Sequence, residues 1–246
     1  MSPSVRGLLT RRDSRGSGEL TTEQLTVAWQ SASLLLDYPD QALLDRLDLV
    51  QRASHELPGA VGEPLRATVA RLAEATLTEL EADYVDTFDS RRRHNLFLTY
   101  FAHGDTRKRG VALLRFKQTY LASGVELTDD ELPDHLCVVL EYAATVDHES
   151  GRQLILDHRA GLELLRLSLA DAGSRWAGAV EAVTATLPPL QGDEIEAVRR
   201  LAAEGPPEEE VGLTPYATPG FDPGPAQPAQ PDRPVALPMP TFPGGR

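Results

Sequence analysis

Three Asp-His dipeptides, Asp134-His135, Asp147-His148 and Asp157-His158, are the residues of this sequence best suited by type to chemistry. A carboxylate beside an imidazole can share a proton, or the pairs could ligate a metal in an all-α metal-dependent hydrolase. Adjacent residues on a helix project about 100° apart, so neither member of such a pair reaches the other across one helical face. No further histidine stands at a ligand spacing from any pair. Glycine-rich phosphate loops, a Gly-x-Ser-x-Gly nucleophile turn and Cys-x-x-Cys pairs are all missing from the sequence. The single cysteine, Cys137, cannot form an internal disulfide or a thiolate metal site, and points to a reducing compartment.

A second group of residues suits binding better than catalysis. Between Tyr84 and Tyr142 lie eight aromatic residues: Tyr84, Phe88, Phe97, Tyr100, Phe101, Phe116, Tyr120 and Tyr142. Two basic islands, Arg91-Arg92-Arg93 and Arg107-Lys108-Arg109, interrupt an acidic background there. Clustered rings beside polar loops suit either a core or a groove, and the islands suit either a solvated face or an anionic contact. Glu131-Leu132-Pro133-Asp134-His135 places carboxylates and an imidazole about a helix entry, where negative charge is favoured by the helix dipole.

The elements that must carry these residues read as helices throughout. Leu25, Ala28, Trp29, Ala32, Leu35 and Leu36 repeat at helical spacing behind a Thr21/Gln24 capping box. Asp40 can cap a second helix ending at Leu57-Pro58-Gly59, a third carries Leu65, Val69 and Leu72, and a fourth opens at Thr78 with Glu81 and buries Leu80, Tyr84 and Phe88. A short fifth helix spans roughly 96–101 and stops at His103-Gly104, with Asp105 capping a sixth through Tyr120. Leu136, Val139, Leu140 and Ala143 define a seventh, and Ile155, Leu162, Leu165 and Leu169 one long eighth that places His158 on its apolar stripe. A ninth ends at Pro188-Pro189, and a last runs from Gly192 to Glu204. No period-two alternation argues for strands. The fold class expected is all-α, a single multi-helix bundle.

Composition sets the limits of this domain. The 246 residues carry 24 basic and 37 acidic side chains, a net charge of −13. Phosphate backbones and anionic lipid repel such a chain, which disfavours nucleic acid, a helical transcription factor and a membrane surface as partners. No apolar run approaches the length of a membrane span. Residues 1–19 lack any hydrophobic period and are expected to be a disordered N-terminal segment; Arg11-Arg12 there lacks the apolar run of an export signal. Residues 205–246 hold 12 of the 19 prolines and read as a disordered Pro/Gly-rich tail, with Pro225, Pro228, Pro231 and Pro234 at the period of a polyproline II edge. The helical domain is therefore expected over 20–204.

Four blocks give the sequence a family likeness. Leu34-Leu35-Leu36-Asp37-Tyr38-Pro39-Asp40, Tyr84-Val85-Asp86-Thr87-Phe88-Asp89, His103-Gly104-Asp105-Thr106-Arg107-Lys108-Arg109-Gly110, and Glu131-Leu132-Pro133-Asp134-His135-Leu136 with Leu140-Glu141-Tyr142 stand in order along the chain. In them it resembles the nitrate reductase molybdenum cofactor assembly chaperones, the delta subunit or NarJ family of redox-enzyme maturation chaperones, over roughly residues 25–185. The resemblance implies an all-helical cytoplasmic chaperone, not an enzyme and not part of the finished reductase. Its partner would be the apo catalytic (alpha) subunit of a respiratory nitrate reductase, bound in part through an N-terminal leader that docks as an amphipathic helix. It would hold that subunit competent for iron–sulfur cluster and molybdenum cofactor insertion while binding no cofactor stoichiometrically itself, and the cofactor biosynthesis proteins are further implied partners. The partner-binding residues it implies are Tyr84, Phe88, Asp89, His103, Gly104, Asp105, Arg107, Arg109, Glu131, Pro133, Asp134, His135 and Tyr142. A chain truncated after Glu204 is expected to retain its helical circular dichroism and melting temperature, because the proline-rich tail lacks the means to join a helical core.

Overall fold

The computed structural model describes residues 20–128 and 131–206; the expectations for 1–19 and for 207–246 lie outside them. Eleven α-helices are present among the described residues: α1 (Thr22–Leu36), α2 (Gln41–Ser54), α3 (Gly59–Ala73), α4 (Leu77–Tyr84), α5 (Tyr100–His103), α6 (Arg107–Ala122), α7 (Leu136–Thr145), α8 (His148–Asp157), α9 (Arg159–Asp171), α10 (Ala177–Ala185) and α11 (Gly192–Glu204). A π-helical turn, Val85–Asp89, continues α4, and a 3-10 turn, Arg92–His94, follows it. No strand occurs among the described residues. A single antiparallel bridge joins Phe97 to His135.

Apolar periodicity decides which faces meet. α1 is the central element, packed against α7, α10, α2 and α3, and it buries Ala28, Trp29, Ala32, Leu35 and Leu36. Its capping box forms as the sequence predicts: Gln24 N–H donates to Thr21 Oγ1 at 3.2 Å and Thr21 N–H to Gln24 Oε1 at 3.0 Å. α10 lies against α3, α9 and α1. Trp29 and Trp176, both fully buried, anchor the core, and Trp29 Nε1 donates to Thr186 Oγ1 at 2.9 Å.

Four local readings need correction. α4 is capped by Thr76 with Glu79, one turn-start earlier than Thr78 with Glu81. Both pairs fit the Thr-x-x-Glu pattern, and Thr76 N–H reaches Glu79 Oε2 at 2.9 Å. The expected long eighth helix is two helices, α8 and α9, parted at His158 (φ −111, ψ 20). There the imidazole Nδ1 bonds the Leu154 carbonyl at 2.9 Å and the backbone N–H turns to Ile155 at 3.2 Å. Residues 96–97 run outside the helix, with a turn at 98–99 leading into α5, because Leu98 N–H donates to the Asp134 carbonyl and Leu136 N–H to the Leu96 carbonyl, each at 2.9 Å. α6 is preceded by Thr106 in the N-cap position, not Asp105.

Helices α7 and α8 approach closely at Gly151, which is buried. A Cβ there would lie 2.4 Å from Ala143 Cβ and 2.5 Å from its Cα. Backbone would have to move to admit it. Gly151→Ala is expected to destabilise the protein by about 1–3 kcal/mol, the usual cost of overpacking, read as a lower urea midpoint at unchanged slope.

Candidate functional site

The site is built where two distant blocks of the chain are tied together by a buried carboxylate. Asp134 has no solvent exposure. Its Oδ2 accepts from Thr99 Oγ1 at 2.5 Å and from Thr99 N–H at 3.2 Å. Arg109, reaching in from the first turn of α6, brings Nη2 to 3.6 Å of the same oxygen and donates from Nε to Thr99 Oγ1 at 3.2 Å. The guanidinium also lies over the Phe97 ring at 5.1 Å, a cation–π contact. A charge withdrawn from water is tolerated only with such partners. Asp105, exposed, contributes a weaker contact at 3.5 Å to Arg109 Nη1.

His135 sits one residue on, at the N-cap of α7, half-buried with its ring edge-on to Phe97 at 5.1 Å. Burial pushes its imidazole below the ordinary range, against the pull of the Asp37, Asp134 and Glu131 carboxylates. The backbone on either side is fixed, since Pro133 offers its carbonyl to Tyr120 Oη at 2.7 Å. Tyr120 in turn packs at a tilt against Tyr142 at 4.5 Å, and Tyr142 Oη bonds Ser123 Oγ at 2.7 Å. Tyr142 is therefore a buried support beneath the site. Burial raises the Tyr120 and Tyr84 phenols far above the usual tyrosine range.

The other two blocks meet in an aromatic cluster. Tyr84 Oη donates to the Leu36 carbonyl at 3.0 Å, and its ring contacts Tyr38 at 5.3 Å, Phe88 at 4.6 Å and Trp176 at 5.5 Å. Phe88 adds a contact to Trp176 at 5.4 Å. Tyr38 is half exposed, whereas Tyr84 and Phe88 are buried. Asp37 connects the clusters: its charge acts on His135, Tyr84 and Cys137 alike.

Of the residues singled out in the sequence, Arg109, Pro133, Asp134 and His135 come together directly. Asp105 stands at their edge, Tyr84 and Phe88 form the neighbouring cluster, and Tyr142 lies below. Gly104 takes φ +57 to end α5, and the His103 carbonyl accepts from Thr106 Oγ1 at 2.8 Å, so this pair sets the turn into α6. Asp89, Arg107 and Glu131 are exposed. Phe97 and Thr99 are site members that the sequence reading missed. Phe97 lay among the clustered rings, but nothing in the sequence marked Thr99.

The remaining candidates have local employment. Asp147 caps α8, accepting from Ser150 N–H at 2.9 Å, while His148 Nε2 bonds Thr26 Oγ1 at 2.8 Å and its ring lies 5.6 Å from Trp29. Asp157 pairs with Arg115, and His158 lies 5.2 Å from Phe116. Among the described residues, no group of three or more His, Cys, Asp or Glu side chains is placed to hold a metal. Arg91 pairs with Asp86 at 3.0 Å beside a cleft of about 360 Å³ in which Arg175 pairs with Asp83 at 3.1 Å. A smaller cleft of about 290 Å³ lies between α5, α9 and α11, lined by Leu98, Phe101, His158, Gly161 and Leu201. No helix among the described residues is long and apolar enough to cross a membrane.

The family model for the nitrate reductase delta subunit matches residues 54–182. A Bacillus subtilis protein named as a probable nitrate reductase molybdenum cofactor assembly chaperone, NarJ, is 31% identical over 172 residues, covering 68% of this chain and 92% of its own. NarJ of Escherichia coli K12, likewise named as such a chaperone, is 32% identical over 148 residues, 59% of this chain and 63% of that protein. The nitrate reductase-like protein NarX of Mycobacterium tuberculosis H37Rv is 41% identical over 160 residues. That match covers 65% of this chain but 24% of NarX, so the chain spans about a quarter of that relative's length. This chain belongs to the nitrate reductase delta subunit family.

The ion pair carries its own test. Arg109→Ala strands a buried carboxylate and is expected to cost about 3 kcal/mol, whereas Asp105→Ala, which removes an exposed partner, should cost about 1 kcal/mol or less. Chemical denaturation of the two variants beside the parent chain measures both.

Proposed function

We propose that this chain is a nitrate reductase assembly chaperone, acting in the cytoplasm on the apo catalytic subunit and holding it competent for iron–sulfur cluster and molybdenum cofactor insertion. Membership of a family whose relatives are named as molybdenum cofactor assembly chaperones supports the role. One observation on this chain carries the reading furthest: the sequence blocks pair off in the fold, 103–110 with 131–136 through Arg109 and Asp134 and 34–40 with 84–89 through Tyr38 and Tyr84, and the Asp37 charge acts on both pairs.

The surface they form suits a leader segment in helical form. Tyr38 and Leu132 are exposed apolar side chains, and the half-buried Phe97 and His135 rings pack together at the turn that carries Leu132. Asp37 and Glu131 supply negative charge at its rim. An amphipathic helix with an apolar face and basic flanks complements such a surface. Burial disfavours the charged form of His135, which suits an apolar face with an acidic rim. The chaperone shifts assembly only by binding the immature subunit more tightly than the mature one, which a surface reading an exposed leader accomplishes. Proteins that deliver the molybdenum cofactor are the expected further partners.

The rival, a metal-dependent hydrolase using the Asp-His pairs, loses its residues to hydrogen bonds and caps: Asp134 to Thr99, Asp147 to Ser150 and His158 to Leu154.

A synthetic peptide copying the N-terminus of the reductase catalytic subunit is expected to bind with a negative heat-capacity change in calorimetry, from apolar burial. Tyr38→Ala and His135→Ala together should weaken it about tenfold or more, equivalent to roughly 1.4 kcal/mol, while the melting temperature stays near that of the parent. Unchanged affinity in the double variant would remove the leader from this face. Failure of the same variant to lower nitrate reductase activity in a deletion strain would remove the face from maturation.

A further inference from the structure

Helix α6 has two chemically opposed faces. The inner one carries Arg109 to its ion pair and buries Phe116 and Tyr120. The outer one is apolar where a surface helix is ordinarily polar. Val111 is 70% exposed, Leu114 55% and Leu121 57%. At i, i+3 and i+10 they fall on one stripe about 15 Å long. Arg107 and Gln118 lie along the same stripe, with Lys108 and Arg115 on one flank and Lys117 on the other.

Charge on this helix is as unusual as its exposed leucines. Arg107, Lys108, Arg109, Arg115 and Lys117 stand within sixteen residues that contain no Asp or Glu, in a chain of net charge −13. Arg115 meets Asp157 at 2.5 Å along the inner edge. Lys108 and Lys117 are exposed on either side of the stripe.

We propose that the outer face of α6 is a docking surface for a short acidic amphipathic helix of another protein. Val111, Leu114 and Leu121 are the apolar contacts, and Lys108 and Lys117 meet carboxylates on the two sides of the docked helix. The site is separate from the face assigned to the leader, which is acidic at its rim and demands the opposite charge. A stripe of about three helical turns matches one short helix. Gln118 in its middle favours protein over lipid, because an amide facing hydrocarbon is left without partners while one facing a peptide finds carboxylates or backbone.

The full chain is titrated with a fluorescein-labelled peptide of two heptads bearing leucine at the a and d positions and glutamate elsewhere. A counterpart has lysine in place of glutamate. Anisotropy should show the glutamate peptide binding about tenfold or more tightly than the lysine one, and amide shifts in NMR spectra should move along α6. Leu114→Gln with Leu121→Gln should weaken binding about tenfold, the scale of losing two interface anchors, and Lys108→Glu with Lys117→Glu should reverse the peptide preference. Each variant's melting temperature verifies folding. Glutamate and lysine peptides of equal affinity, or binding indifferent to the leucine substitutions, would overturn the proposal. So would stronger partition onto phosphatidylglycerol vesicles than onto the peptide, which would make the face a lipid surface. A dimer in sedimentation that the leucine variant dissolves would give it to a second copy and overturn the proposal too. None of these outcomes bears on leader binding, which is measured independently.

Discussion

The Asp134 carboxylate, fully withdrawn from water, is the constraint around which the candidate face is organised. An ionised oxygen in a protein interior must be met by donors and by opposite charge, or the fold loses several kcal/mol. Thr99 supplies two donors and Arg109 the charge. Each demand fixes an element. The 96–97 segment must stay out of the helix and the turn at 98–99 must present both the N–H and the hydroxyl of Thr99, and α6 must begin where its third residue can reach inward. α7 must start after His135, which leaves that ring on the surface edge. The sequence block at 103–110 and the block at 131–136 are in this sense halves of one structure.

That geometry also explains why α6 carries opposite chemistry on its two sides. One arginine is committed inward, and its neighbours on the outer side face solvent in a domain otherwise dominated by carboxylates. Complementary charge governs which partner is steered to which face and how fast it arrives, more than how tightly it holds. An acidic rim around Asp37 and Glu131 and a basic ridge on α6 therefore sort partners by sign before any shape is tested.

Periodicity made the helical class and most element boundaries legible, and the capping box at Thr21 forms where the sequence pattern placed a helix start. Harder to read were places where a tertiary contact outcompeted a local preference. Leu96 to Leu98 could continue a helix by propensity, but their backbone groups are taken by Asp134 and Leu136. His158 interrupts a run of helix-forming residues because its own ring competes for the turn. Asp105 is a good capping residue by type, yet its carboxylate turns to Arg109 while Thr106 takes the N-cap position. Within the site, Asp134 and His135 were visible through the block that contains them. Thr99, a lone threonine beside a tyrosine, was invisible, because its importance comes from a partner 35 residues away.

The hydrogen bond between Trp29 and Thr186 joins positions 157 residues apart, and α1, which carries Trp29, is the helix against which α7 and α10 close. Of the described helices α1 is the first to leave the ribosome, and it is among the last to be fully buried. At ordinary synthesis speeds of about 5–20 residues per second, its apolar face waits roughly ten to thirty seconds for its final neighbour to emerge. Throughout that interval a nascent chain of this protein presents the kind of unsatisfied hydrophobic helix that other proteins are built to shelter.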